Sequence, residues 1–238
     1  MSTPTDHAPN LQTALASVKQ RIGEFERKYA REPGSVQLLA VSKTQSPERV
    51  RAACSLGQHR FAENYLQEAL AKQDLLRDCT IEWHFIGPIQ SNKTRDLAHN
   101  FDWVHSVDRL KIAQRLNEQR PAERGPLKVL IQVNLSNEDS KSGISIDEAS
   151  ALAAAIAALP QLQLRGLMAI PAPSTDMARQ RQLFRQLAQA RDQLLAAGHT
   201  HCRELSMGMS SDFEAAIAEG ATMVRIGTDI FGARVTMP

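Results

Sequence analysis

Eight short apolar runs alternate with longer amphipathic or charged stretches from Ser35 onward, and few folds accommodate that rhythm. The runs are "SVQLLAVSKT", "RFAENY", "EWHFIG", "FDWVHSVD", "LKVLIQVNL", "LQLRGLMAI", "ELSMGMS" and "TMVRIGTDIFG". Between them lie helical stretches such as "SPERVRAACSLG", "QSNKTRDLAHN", "DRLKIAQRLNEQR", "SIDEASALAAAIAALP", "ARQRQLFRQLAQARDQLLAAG" and "SDFEAAIAEG". Ser46-Pro47 places proline in a first helical turn, while Gly57, Gly198 and Gly220 stand where helices should stop. Strand, helix and strand in this order build parallel sheets, because a parallel pair needs a crossover connection. Eight such units in roughly 200 residues predict an α/β fold, the (β/α)8 TIM barrel, with a doubly wound open sheet as the alternative.

An additional N-terminal helix is predicted over about 11–30, where Leu11, Leu15, Val18, Ile22 and Phe25 recur three and four residues apart. The whole chain, residues 1–238, is read as one domain, with the barrel spanning about 35–232. A hydrophobic content of 42% and a charged content of 23% fit a single well-cored domain. The net charge of +2, with no block of like charges, gives no reason to expect a nucleic-acid or membrane partner. No leader-like start and no long apolar span is visible, so a cytoplasmic protein is expected. Cys54, Cys79 and Cys202 are odd in number and lack a C-x-x-C pair, which argues against a disulfide framework or zinc site. His105, His199 and His201 have no metal-ligand spacing with nearby acids.

In "LLAVSKTQ" a run of buried-strand character ends at Lys43. Parallel barrel strands converge with their C-terminal ends on one ligand-binding face, and Lys43 is expected there. A lysine so placed either snorkels its charge to water or, with burial lowering its pKa, offers an amine to a carbonyl. The same face collects Glu63-Asn64-Tyr65, His84, Asn134, Ser206, Ser210, Arg225 and Thr228. Small and hydroxyl-bearing residues follow the seventh run (Ser206, Gly208, Ser210, Ser211, Asp212) and the eighth (Gly227, Thr228). Barrels often bind phosphate in these two loops, although helix capping alone also explains such residues.

The stretches "LLAVSKTQ", "FAENYLQEA", "WHFIGPIQSNK" and "LSMGMSSDFEAAIAEGATMVRIGTDIFG" together resemble the YggS/PROSC family of pyridoxal phosphate homeostasis proteins, from about Leu38 to Gly232. The resemblance implies a fold-type III barrel, like the N-terminal domain of alanine racemase, that holds pyridoxal 5′-phosphate (PLP) as a Schiff base on Lys43. It implies Arg225 at the pyridine nitrogen, Ser206, Gly227 and Thr228 at the phosphate, and Asn64, His84 and Met207 along the ring. Ile89 stands where the family's "HFIGxLQ" carries leucine, an apolar exchange. Lys141, in "NLSNEDSKSGI", is either a further ligand contact or a solvated loop charge, and Gln90, Asn92 and Lys93 either touch the phosphate region or simply open a helix.

Racemase chemistry on such a barrel needs a second acid–base group opposite the lysine, supplied in alanine racemase by a tyrosine of a partner's C-terminal domain. Only six residues follow Gly232, and the tyrosines are Tyr29 and Tyr65, neither placed by the family pattern as that base. The expectation is therefore a non-enzymatic, monomeric PLP carrier serving vitamin B6 homeostasis and supplying PLP-dependent apo-enzymes. The alternatives are a small PLP-dependent amino-acid racemase or lyase and, third, a sugar-phosphate aldolase using Lys43 directly.

Overall fold

The computed structural model describes residues 10–136 and 142–232. Its eight strands are β1 (Gln37–Val41), β2 (Arg60–Glu63), β3 (Glu82–Phe85), β4 (Trp103–Val107), β5 (Leu127–Gln132), β6 (Leu162–Met168), β7 (Glu204–Ser206) and β8 (Met223–Ile226). Each pairs in parallel with its sequence neighbours, and β8 returns to β1 to close the barrel in the order β1 to β8. The open-sheet alternative is excluded by that last pairing, in which Leu39 lies beside Arg225 and Ala40 beside Ile226.

The helices are α1 (Leu11–Lys28), α2 (Pro47–Ser55), α3 (Leu66–Leu75), α4 (Thr94–Asn100), α5 (Leu110–Gln119), α6 (Ala149–Ala157), α7 (Met177–Ala196), α8 (Phe213–Ala218) and α9 (Thr228–Phe231). Pro47 opens α2, and Gly57, Gly198 and Gly220 take the left-handed conformation just past α2, α7 and α8, as the stop signals require. Helix α3 had no prior assignment from periodicity. Its polar and apolar residues are equal in number, and one of the polar ones, Lys72, is buried.

Strand parity sorts the core into two layers. Leu39, Ala62, Ile86, Trp103, Leu130, Met168 and Met223, joined by Val41, fill the barrel, while Leu38, Ala40, Phe61, Phe85, Val104, Leu205 and Val224 belong to the larger cluster against the helices. The inner layer leaves room for polar residues in the same registers: Glu82 and His84 on β3, His105 on β4, Ser206 on β7 and Arg225 on β8.

Helix α1 lies outside the eightfold repeat, against α2, α8 and α9. It buries Leu15, Val18 and Ile22, and Phe25 meets Phe213 edge to face at 5.3 Å. Its buried Glu26 accepts hydrogen bonds from the backbone N–H of Gly34 (3.0 Å) and Val36 (2.8 Å). Those bonds set the path by which the chain enters β1, the strand that leads to Lys43.

Candidate functional site

At the C-terminal ends of the strands a cavity of about 530 Å³ opens between Lys43, Asn64, Arg225, Gly227 and Thr228. Val41, Ile86, Ile170 and Met209 supply apolar walls, and Ser210, Ser211 and Asp229 complete the lining. Its size suits a small ligand with apolar faces and a few polar contacts. Lys43 follows Leu39 and Val41 at the two-residue period of the strand's inner face and is half-buried. Beyond it the chain turns sharply, with Thr44 at φ 64°.

Asn64 is delivered by a close backbone contact. A Cβ at Gly87 would collide with the Asn64 carbonyl, so the β3 loop can press against residue 64 only because position 87 is glycine. The Asn64 Oδ1 is buried without a hydrogen-bond partner, a polar atom left available on the cavity wall. On the far side, Asp212 accepts a bond from the Met209 N–H (2.6 Å), folding the loop that carries Ser210 and Ser211.

Arg225 forms the base of the site and is only 3% exposed. Its Nη1 donates to Ser206 Oγ (2.7 Å) and its Nη2 to the Ala169 carbonyl (2.9 Å). Burial draws the guanidinium down to about 10, so it remains a cation at neutral pH. Ser206 Oγ also lies 2.9 Å from His105 Nδ1, and His105 Nε2 lies 2.9 Å from His84 Nδ1. An arginine can only donate, so Ser206 accepts from Arg225, and at the other end the Glu82 carboxylate can only accept, which with both imidazoles neutral places the His84 proton on the nitrogen that faces it. Ser206 accepts from Arg225 and gives its proton to His105 Nδ1, His105 Nε2–H donates to His84 Nδ1, and the His84 proton sits on Nε2, 3.8 Å from Glu82 Oε2. Both imidazoles are fully buried, and that burial lowers their pKa values, that of His105 furthest, with His84 and Arg225 adding repulsion.

Five of the eight residues expected from sequence, Lys43, Asn64, Arg225, Gly227 and Thr228, thus line one cavity. The other three stand elsewhere. Ser206 is wholly buried, with its Oγ within hydrogen-bond distance of both Arg225 and His105, and it does not line the cavity. His84 lies deeper in the barrel, stacked on Trp103 at 5.5 Å. Met207, one residue past Ser206 and therefore of opposite parity, packs in the layer between sheet and helices. Gln90, Asn92 and Lys93 fall at a short 3₁₀ turn (Ser91–Lys93) that does not line the cavity, and Lys141 lies outside the described residues. Among the described residues no group of acids, histidines and cysteines could hold a metal ion.

Comparison with known proteins agrees with this geometry. Residues 14–235 match the family model described as alanine racemase, N-terminal domain. The chain is 56% identical over 220 residues to the pyridoxal phosphate homeostasis protein of Pseudomonas aeruginosa, covering 92% of this chain and 94% of that one. It belongs to that family. The Escherichia coli K12 homeostasis protein is 53% identical over 223 residues, covering 92% and 95%. Among solved structures, PipY of Synechococcus elongatus with PLP bound superposes with a TM-score of 0.82 at 38% identity, covering 94% of this chain and all of that one.

Two parts of this family member's site were not assigned from sequence. Ile86 and Ile170 read as ordinary strand-end apolar residues, and only the fold shows that they wall the cavity. From sequence, His105 is considered only as a metal ligand. The signal that could have placed it is parity in "WVHSV", which sets His105 on the face of Trp103, as "EWHF" sets His84 on the face of Glu82.

Proposed function

We propose that this chain holds PLP in the cavity around Lys43 and serves vitamin B6 homeostasis as a carrier rather than an enzyme. The observation that carries the reading is the convergence of Lys43, Asn64 and the buried Arg225 on one cavity, in a chain 56% identical to a pyridoxal phosphate homeostasis protein. The residues fit the group chemically. Lys43 would supply the amine that takes up the aldehyde with loss of water. Arg225 offers a permanent cation to the pyridine nitrogen, and a donor that cannot give up its proton keeps that nitrogen unprotonated. Asn64 turns an amide with an unused oxygen toward the ring, and Gly227, Thr228, Ser210 and Ser211 offer backbone and hydroxyl donors to the phosphate. When bound, PLP supplies an electron sink for carbanions, which an unprotonated ring nitrogen weakens.

The same lining supports holding over turnover. Among the described residues its ionisable side chains are Lys43, Arg225 and Asp229, and Asp229 is paired with Arg21 at 2.8 Å. Tyr29 donates to Glu214 (3.0 Å), and Tyr65 is 53% exposed and outside the lining. Proton removal and return on opposite faces needs two groups, and among the described residues the lining offers Lys43 without a competent second. The reading takes the protein to be a cytoplasmic monomer that passes its cargo to apo-enzymes. Among the described residues no helix is long and apolar enough to cross a membrane.

The test is to load the purified protein with PLP, remove the excess, and mix it with a PLP-dependent apo-enzyme and, separately, with each common L-amino acid. Activation of the apo-enzyme without racemisation or elimination is expected. Rapid turnover of any amino acid that disappears in Lys43→Ala would instead make the protein an enzyme.

A further inference from the structure

The residues on either side of Lys43 are both tied to one buried ionic cluster. Lys72 of α3, 3% exposed, donates to the Ser42 carbonyl (2.6 Å), to Glu63 Oε1 (2.8 Å) and to Glu68 Oε1 (2.6 Å). An ammonium has three N–H bonds, and all three are used. The acceptors reach onward to the same turn. Ser42 Oγ donates to Glu63 Oε1 (2.7 Å), and the Thr44 N–H donates to Glu68 Oε1 (2.5 Å). The carbonyl and hydroxyl before Lys43 and the amide after it are therefore closed on one lysine and two carboxylates.

That closure answers a cost in the backbone. Thr44 is β-branched and sits at φ 64°, in the left-handed region that such residues avoid. A conformation of this kind persists only where its surroundings over-determine it. We propose that Glu68 and Lys72 are positioning residues for Lys43: through Glu63, Ser42 and Thr44 they lock the turn from which the Lys43 side chain starts toward the cavity. The inference rests on the reading above, that Lys43 condenses with an aldehyde. Lys43 has a flexible four-carbon stem, and condensation requires its amine at the aldehyde carbon, so the backbone it grows from decides how often it arrives. Lys72 itself is buried and spends its amine on three acceptors, so it is not presented to the cavity.

The experiment compares full-length wild type with Glu68→Ala, Glu68→Gln and Lys72→Met. Glu68 is partly exposed, and circular dichroism checks that each variant is folded. Amide exchange at Thr44, read by NMR without ligand, should quicken about ten-fold or more in Glu68→Ala as the turn loses its bond. Glu68→Gln should stay near wild type, because one oxygen serves both contacts and glutamine retains one. The second readout pairs the rate at which PLP produces its visible band with the affinity for pyridoxine 5′-phosphate, an alcohol that fills the site without condensing. Glu68→Ala and folded Lys72→Met should slow the band about ten-fold or more while the alcohol binds as before, since misplacing a reacting group costs rate rather than ligand contact. Unchanged Thr44 exchange in Glu68→Ala, a wild-type band rate in both variants, or an equal loss of alcohol affinity would each overturn the proposal. Absence of a band in the wild type would reject the cofactor reading instead, with Thr44 exchange still deciding the clamp.

Discussion

Arg225 is a buried cation oriented by a serine, and that arrangement separates two tasks that one hydroxyl might be asked to perform. Ser206→Ala removes the acceptor of Arg225 and the donor to His105 together, leaving both buried groups short of a partner. A loss of about 1.5–3 kcal/mol is expected. Affinity for pyridoxal and for its phosphate ester should fall by the same factor if the hydroxyl acts through the arginine it bonds. Thr228→Val should weaken the phosphate ester by roughly ten-fold and leave pyridoxal unchanged. Titration of both ligands against both variants distinguishes the roles, and a Ser206→Ala effect confined to the ester would return Ser206 to the phosphate. The histidines behind it predict a pH dependence. Both imidazoles have folded-state pKa values below the ordinary 6.5, so in acid the unfolded chain takes up protons that the folded chain refuses. Stability should therefore be fully present above pH 6.5 and decline as the pH falls below it, by up to about 1.4 kcal/mol per histidine per pH unit. Urea unfolding at pH 7.5 and pH 5.5 measures this decline, which should be shallower in His105→Gln. An equal slope in the two proteins would mean that His105 is not held neutral.

Elements transmit order to the site along routes that a linear pattern shows only in part. Glu26 of α1 holds the entry to β1 through the Gly34 and Val36 amides. Its replacement by alanine leaves the buried Val36 amide unpaired, with an expected loss of about 1–3 kcal/mol that thermal or urea unfolding would register. A change within a few tenths of a kcal/mol would reduce α1 to a packing layer. The eight strands and the glycine stops were legible because short apolar runs and left-handed helix ends each leave a local mark. Helix α3 was not, for a physical reason. Glu68 and Lys72 look like a solvated i,i+4 pair, yet Lys72 is buried because its partners lie on β2 and the Lys43 turn. Likewise "WHFIG" and "LSMGMS" announce strand ends without saying which residues reach the cavity. Parity decides that: Met207 turns outward, while Ser206 and His84 turn inward below the cavity floor.

As a whole the molecule is a closed parallel barrel whose interior carries a polar column from Glu82 on β3 up to Arg225 on β8. A small barrel is filled by side chains rather than by solvent, and in this column Arg225, Ser206, His105 and His84 are joined by hydrogen-bond distances while His84 Nε2 faces Glu82 at 3.8 Å without a hydrogen bond. Fixed donors at its top suit a site that must present one charge to one ring atom. The rim offers a lysine, an amide and hydroxyls around a cavity of about 530 Å³. The central claim is that the Lys43 amine, among all amines of the chain, holds the cofactor. The direct measurement is to incubate the protein with one equivalent of PLP, reduce with borohydride and locate the modified residue by peptide mass spectrometry. The account predicts the modification on the peptide carrying Lys43, absent in a folded Lys43→Ala protein. Modification spread over other lysines with Lys43 untouched, or the same yield in Lys43→Ala, would contradict it.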